Sequence, residues 1–209
     1  MIATKSSVNP VFKIKTLVPG YLVRDLIDGL PLYYKGYREV LAGTKTKEEI
    51  MGCSTLQSFI LLYLIRILDQ NLDEESFHIF TGESGNHLSP KTNFSLDLAV
   101  YDTGSLPVEK IDEHYAKVPP VLVVEVDVKM EPEEKMSDEQ VIRLKTDSLL
   151  KYGVQKVVWF LSRKGQVFMA EKGKKGVWRS WHEPVELMPG IEVNVGSYLK
   201  RRGHPAGLR

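Results

Sequence analysis

The sequence predicts an α/β protein with a mixed sheet flanked by helices, and three observations lead to this prediction. The segment Val121 to Val124 is apolar on both faces of a strand, which is typical of a central strand covered on both sides. A capped helix beginning near Ser137 follows it, and a second buried strand, Lys156 to Leu161, comes directly after the helix. Strand, helix and strand in this order indicate a crossover unit with parallel strands.

Length and composition predict one domain over residues 1–209, with an irregular N-terminal part containing a hairpin (1–47) and a core (48–200). The single cysteine, Cys53, excludes an internal disulfide and fits a reducing compartment. Met1 to Pro10 has no apolar leader, and the apolar stretch Phe59 to Leu68 is too short to span a bilayer. We therefore expect a cytoplasmic protein.

The net charge of +1, from 28 basic and 27 acidic residues, argues against a protein that coats DNA without specificity. The near-zero net charge does not exclude an enzyme that binds nucleic acid through a local basic surface.

The first half of the chain predicts a hairpin and one long helix. Asp28-Gly29 is a turn signal between apolar residues, so a small hairpin is expected there. Glu48 to Asn71 is predicted to be one helix. Its apolar positions recur at helical spacing: Ile50, Leu56, Ile60, Leu64 and Ile67.

Three strands are predicted next, a short one at Phe77 to Phe80, an alternating one at Phe94 to Tyr101, and a third at Val121 to Lys129. Ser137 with Gln140 forms a capping-box pattern for the following helix. Gly153 is predicted to end that helix. Gly165 to Ala170 and Gly176 to Trp181 are predicted to form a closing hairpin, and Val195 to Leu199 a short terminal helix.

Two carboxylates stand in these strands where the pattern does not favour them. Asp97 lies in a strand between apolar residues, and an exposed edge position is the alternative explanation. Glu125 interrupts the most apolar strand, and by alternation Asp127 and Lys129 share its face. A buried carboxylate is costly unless it is paired or bound to a cation, so Glu125 is either a ligand at a cleft or a salt-bridge partner of a lysine.

Lys145 lies on or beside the inward stripe of the helix, on the line of Val141, Ser148 and Tyr152. Its side chain either extends along apolar surface toward solvent or pairs with a buried carboxylate. The presence of Glu125 on the preceding strand favours pairing. Two carboxylates can hold Mg²⁺ or Mn²⁺, and a lysine can orient water or neutralise charge, as phosphodiester hydrolysis requires.

A set of ordered segments also carries a resemblance to a known family. The segments are Arg24-Asp25-Leu26-Ile27-Asp28-Gly29-Leu30, Ser95-Leu96-Asp97-Leu98-Ala99-Val100, Pro120-Val121-Leu122-Val123-Val124-Glu125-Val126 and Lys145 followed by Tyr152-Gly153-Val154 and Trp159. From about Leu17 to Leu199 they resemble the putative restriction endonuclease family of the PD-(D/E)xK nuclease superfamily. The resemblance implies a restriction-endonuclease-like fold, a divalent metal (Mg²⁺ or Mn²⁺), DNA as substrate and, by analogy, a homodimer.

By this resemblance Asp97 and Glu125 take the places of the motif acids and metal ligands, and Lys145 takes that of a catalytic lysine moved onto the helix. Asp127 stands where most of the superfamily has lysine, so it could add a metal ligand, and Lys129 could compete with Lys145. Gln57 is a further candidate. Some nucleases supply a further acid from the first helix, and the candidates for it here are Glu48, Glu49 and Glu83.

Basic residues interleaved with Trp178 and Trp181 are candidates for contacts with a phosphate backbone, and a solvated hairpin is the alternative. They are Lys172, Lys174, Lys175 and Arg179. The acidic stretch Glu131 to Glu139 and the near-zero net charge motivate a different function, a catalytically silent DNA- or protein-binding module. A third is a metal-dependent hydrolase acting on a small phosphorylated compound.

Overall fold

The structure is a computed structural model that describes residues 17–209. The predicted absence of a leader in Met1 to Pro10 falls outside this range. The strands are β1 (Val23–Ile27), β2 (Leu30–Tyr34), β3 (Phe77–Ser89), β4 (Thr92–Asp102), β5 (Leu122–Val126), β6 (Met130–Pro132), β7 (Lys156–Leu161), β8 (Gln166–Glu171), β9 (Val177–Ser180), β10 (Val185–Met188) and β11 (Ile191–Val193). The helices are α1 (Tyr37–Leu41), α2 (Lys47–Met51), α3 (Thr55–Asn71), α4 (Asp138–Lys151) and α5 (Val195–Arg201), with short 3₁₀ turns between some elements.

Nine strands form one mixed sheet in the order β6-β2-β1-β4-β5-β7-β8-β9, with β3 also paired to β4. β5 and β7 pair in parallel across α4, and the other strand pairs are antiparallel. Val124 packs in a core with α3 and α5, whereas its neighbour Val123 packs in a second core with α4. Successive strand residues point to opposite faces, so helices cover both faces of the sheet. The predicted mixed α/β fold is confirmed.

Several local predictions agree with the structure. The Asp28-Gly29 turn joins β1 and β2, and both residues have positive φ, as a two-residue hairpin turn requires. Ser137 caps α4 in a capping box with Gln140, and Gly153 leaves the helix at a φ of 115°. The closing hairpin forms as β8 and β9, and the terminal helix forms as α5.

The single helix predicted from Glu48 to Asn71 is wrong, because the chain forms two helices there. Gly52 is extended at the end of α2. Ser54 then caps α3 by accepting a hydrogen bond from the backbone N–H of Gln57 at 3.1 Å. A serine N-cap after an extended glycine is a start signal, and it overrides the continuous apolar spacing.

By length and composition alone, the stretch 47–71 is apolar enough to cross a membrane. It is divided by the extended residues before Ser54, however, and Ile60, Leu64 and Leu68 of α3 are fully buried in one of the two cores. These three residues pack one face of α3 against the sheet. The cytoplasmic location stays a prediction.

β3 is longer than the predicted strand at Phe77 to Phe80, because it continues through polar residues to Ser89. Its pairing with β4 shifts between Thr81 and Ser84, where Gly82 and Glu83 both have positive φ. The extra residue is a bulge, which bends a strand and re-aims a side chain. A glycine-containing polar run resembles a loop in sequence, which explains the error.

The strand predicted from Val121 to Lys129 ends early, at Val126. Asp127 takes the left-handed conformation with a φ of 61°. Its carboxylate accepts hydrogen bonds from the backbone N–H of Ser162 at 2.7 Å and from the Ser162 hydroxyl at 2.6 Å. The expectation that Asp127 shares the face of Glu125 is therefore wrong, whereas Lys129 lies on the same side and contacts Asp97 at 2.8 Å.

The N-cap of α4 gives a test of the fold. Ser137→Ala removes the side-chain acceptor for the backbone N–H of Gln140 and should lower the free energy of unfolding by about 1 kcal/mol. Urea unfolding measures the change, with Ser105→Ala, at an exposed turn position, as the control. Equal stability of the two variants would contradict this role of Ser137.

Candidate active site

Seven charged side chains meet on the sheet beneath α4, and we refer to them as the acid–base cluster. Three are cations and four are carboxylates, which gives a formal net charge of −1: Arg24, Lys129 and Lys145 with Asp25, Glu83, Asp97 and Glu125. They come from β1, β3, β4, β5, the segment after β5, and α4. The cluster is therefore assembled from residues distant in sequence.

Asp97 lies at the centre of this network and is 2% exposed on the inner strand β4, which excludes the edge-strand explanation. Its Oδ1 accepts from Lys129 Nζ at 2.8 Å and from Arg24 Nη2 at 3.2 Å. Its Oδ2 accepts from the backbone N–H of Val126 at 2.9 Å and from Gln57 Nε2 at 3.1 Å. Four donors, two of them cationic, hold this carboxylate in one orientation.

Glu125 and Lys145 form a fully buried ion pair. Lys145 Nζ lies 2.8 Å from Glu125 Oε1, and it donates to Asp25 Oδ2 and to the backbone carbonyl of Ser95, each at 3.0 Å. Lys145 has no solvent exposure, which excludes the alternative of a side chain that reaches solvent. The sequence-predicted pairing of Glu125 with a helix lysine is present.

The hydrogen bonding of Glu125 is nevertheless incomplete. Neither of its oxygens makes a hydrogen bond of normal geometry, although Lys145 is close enough for an ion pair. Burial raises the pKa of Glu125 to about 7, with Asp97 and Asp25 adding to the effect and Lys145 and Arg24 opposing it. A buried carboxylate with open lone pairs has the capacity to accept another donor or a cation.

Arg24 and Asp25 belong to the acid–base cluster, and the sequence pattern predicted no role for either of them. Arg24 Nη1 lies 3.3 Å from Asp25 Oδ2, and Asp25 Oδ1 accepts from the backbone N–H of Ser95 at 2.7 Å. Burial lowers the pKa of Arg24, but Asp25, Glu125, Asp97 and Glu83 raise it by more, so the guanidinium stays charged. The sequence feature that could have identified them is the charged pair Arg24-Asp25 in a predicted hairpin strand, within a segment that carries the family resemblance.

Glu83 and Lys129 form the solvent side of the cluster, with side chains 31% and 13% exposed. Lys129 Nζ lies 3.3 Å from Glu83 Oε1 and bridges it to Asp97. Of the three acids left open as a further site residue, Glu83 reaches the cluster, whereas Glu48 and Glu49 are exposed on α2. The cluster therefore meets solvent at Glu83 and Lys129.

Other predicted site residues fall into different places. Gln57 is buried against Asp97. Asp127 is turned toward Ser162, which does not support its suggested role as an extra metal ligand. Trp181 is fully buried. The basic hairpin is formed by β8 and β9, and β9 is the edge strand opposite β6. Its four basic residues lie in the turn and on β9 and are exposed: Lys172, Lys174, Lys175 and Arg179.

The donor set suits a hard divalent cation, because Asp97, Glu125 and Glu83 offer carboxylate oxygens and Glu125 has no hydrogen bond on either oxygen. Over residues 17–209, however, no three His, Cys, Asp or Glu side chains are grouped in a way that could directly hold an ion. A guanidinium nitrogen of Arg24 lies among the three carboxylates instead. The carboxylate oxygens are of the kind that a divalent ion prefers, and Arg24 is one of the three protein cations that lie among them.

The fold is similar to that of a known structure. The crystal structure of a putative nuclease belonging to DUF820 from Anabaena variabilis matches with a TM-score of 0.59, covering 88% of this chain and 93% of that chain. The two sequences are 11% identical, so the similarity shows a shared fold. No protein-family model and no curated protein sequence matches the chain.

The raised pKa of Glu125 predicts a pH dependence of stability. The folded carboxyl titrates near 7, whereas an unfolded glutamate titrates at about 4.3. Between these values the folded state binds more protons, so the free energy of unfolding falls as pH rises through this window. The groups that face Glu125 are Arg24, Asp25, Asp97 and Lys145.

The measurement is urea unfolding with EDTA at about pH 5 and about pH 8, for the unmodified protein and Glu125→Gln. We expect the unmodified protein to lose on the order of 1–3 kcal/mol relative to the variant, since glutamine cannot titrate. Parallel pH profiles would show that Glu125 does not carry this effect.

Asp127→Ala tests the structural role of Asp127. The alanine loses both hydrogen bonds to Ser162. It must also adopt the left-handed conformation without the polar side chain that makes this conformation tolerable for aspartate. The substitution should therefore destabilise the protein by roughly 1–3 kcal/mol. Asp127→Asn, which tolerates that conformation, is the control. Mn²⁺ titration should give the same affinity as for the unmodified protein, and loss of binding would restore Asp127 as a ligand.

Proposed function

We propose that this protein is a metal-dependent nuclease that hydrolyses phosphodiester bonds in DNA. One observation carries the proposal, the convergence of Asp97, Glu125 and Lys145 from β4, β5 and α4 on one cluster. The resemblance to the PD-(D/E)xK superfamily and the fold shared with a DUF820 protein support it. The three residues follow the order in which the resemblance assigns two acids and a lysine.

In this proposal Asp97 and Glu125 would hold Mg²⁺ or Mn²⁺, which when bound activates a water molecule and stabilises charge on a phosphate. Gln57 and the backbone N–H of Val126 fix one oxygen of Asp97 and leave the other directed into the cluster. Lys145 is anchored by Asp25 and Ser95, so its ammonium group has a fixed position beside Glu125. A fixed cation there is suited to neutralise developing negative charge.

The position of Lys129 separates the two lysines by function. Lys129 reaches solvent and contacts Asp97, whereas Lys145 is sealed beside Glu125. We therefore assign Lys145 to the reacting centre and Lys129 to contact with an incoming phosphate. DNA as the substrate, the homodimer, the cytoplasmic location and the distant basic hairpin remain parts of the same proposal.

A catalytically silent DNA- or protein-binding module is the second candidate function. The specific observation in its favour is that the cations of the cluster already neutralise most of its carboxylate charge, with Arg24 among the acids. Such a cluster can stabilise the fold without any bound ion. The two candidates differ in whether the protein binds Mn²⁺ at Asp97.

The test incubates supercoiled, linear and branched DNA with the protein in Mg²⁺ or Mn²⁺. Asp97→Asn, Glu125→Gln and Lys145→Met should each reduce cleavage at least about hundredfold, because each removes a ligand or a fixed charge at the reacting centre.

Matched controls come from exposed positions of α4. Asp138→Asn and Lys151→Met remove the same kinds of charge at the helix surface, 45% and 63% exposed, and should leave cleavage unchanged. Full cleavage by Asp97→Asn would overturn the site, and the absence of both cleavage and Mn²⁺ binding would favour the silent module.

A further inference from the structure

One nitrogen of Arg24 lies where three carboxylates converge. Its Nη2 is 3.2 Å from Asp97 Oδ1, 3.6 Å from Glu83 Oε1 and 4.0 Å from Glu125 Oε2. The guanidinium is fully buried, and its Nη1 is held by Asp25 at 3.3 Å. An arginine in this position supplies a single positive charge to the acids that form the candidate metal site.

Arg24 and a divalent ion would compete for the same ligands. Two cations in one buried carboxylate cluster repel each other strongly, because little water lies between them to screen the charge. Asp97 Oδ1 already contacts both Arg24 and Lys129, and Glu125 Oε2 lies 4.0 Å from Arg24 Nη2. An ion binding there must therefore displace at least one protein cation.

We propose that Arg24 is an internal counter-ion that occupies the divalent-ion position and lowers the affinity of the site for metal. The inference rests on the proposed function, because it assumes that Asp97 and Glu125 are the metal ligands. It adds a regulatory property, in which the metal-free protein is held together by its own arginine and metal enters by exchange.

The surroundings of Arg24 support exchange rather than permanent occupation. The contacts of Nη2 with the three acids are 3.2 Å or longer, whereas Lys145 and Lys129 each approach an acid to 2.8 Å. Glu83 and Lys129 reach solvent, so this side of the cluster can rearrange without exposing the hydrophobic cores. The Nε of Arg24 has no hydrogen-bond partner, so the side chain is held only at its terminal nitrogens.

The test measures Mn²⁺ binding by calorimetry and by the electron paramagnetic resonance signal of free Mn²⁺. Arg24→Met removes the competing charge and keeps an unbranched side chain at this buried position. We expect it to bind Mn²⁺ at least about tenfold more tightly than the unmodified protein, since a buried repulsion is removed. Without metal its melting temperature should fall by several degrees, and Mn²⁺ should restore it.

Arg38→Met is the matched control, because Arg38 is half-exposed and pairs with Glu131 away from the cluster. It should leave Mn²⁺ affinity unchanged. An Arg24→Met protein that binds Mn²⁺ no more tightly than the unmodified protein would overturn the proposal.

Arg24→Gln covers the case in which Arg24→Met does not fold without metal. A glutamine also removes the charge, but its amide group can still donate hydrogen bonds to the buried carboxylates, so fewer of them are left without a donor. Its Mn²⁺ affinity should exceed that of the unmodified protein, and an unchanged affinity would overturn the inference.

Asp97→Asn separates failure of this inference from failure of the proposed function. If Asp97→Asn abolishes Mn²⁺ binding while the Arg24 variants leave it unchanged, the inference fails and the metal site stands. If Asp97→Asn leaves Mn²⁺ binding unchanged, the ion binds elsewhere and both proposals fail.

Discussion

Glu125 lies in the central strand β5 without solvent contact, and an unpaired carboxylate in such a place costs several kilocalories per mole. Lys145 offsets this cost from α4, and a buried lysine in turn needs acceptors, which Asp25 and the carbonyl of Ser95 supply. Arg24 then links Asp25 to Asp97. One buried charge thus requires a network that joins the hairpin, the central strands and a helix.

The same network makes local backbone irregularities necessary. Two positions with positive φ, at Glu83 and Asp127, border the cluster. The bulge at Glu83 brings an acid from β3 to the cluster, and the turn at Asp127 ends β5 so that Lys129 reaches Asp97. Unusual conformations of this kind are typical of functional sites.

Much of the fold could be predicted from local signals. The hairpin turn at Asp28-Gly29, the capping box of α4 and the parallel pair around it depend on neighbouring residues, and all are present. The failures occur where irregular backbone interrupts or extends a regular element. The break before Ser54 and the early end of β5 replace a continuous pattern by a cap or a turn, and the long β3 continues through a bulge where the polar residues resemble a loop.

For the site, the sequence by itself determined that Asp97 and Glu125 stand in strands where carboxylates are costly, and that Lys145 faces inward from the next helix. Strand and helix periodicity are sufficient for these conclusions, because burial of one face follows from spacing. Tertiary structure alone decided that Arg24, Asp25 and Glu83 join them. Ion pairing depends on distance in space, and residues as far apart in sequence as Asp25 and Lys145 approach only when the strands of the sheet are ordered.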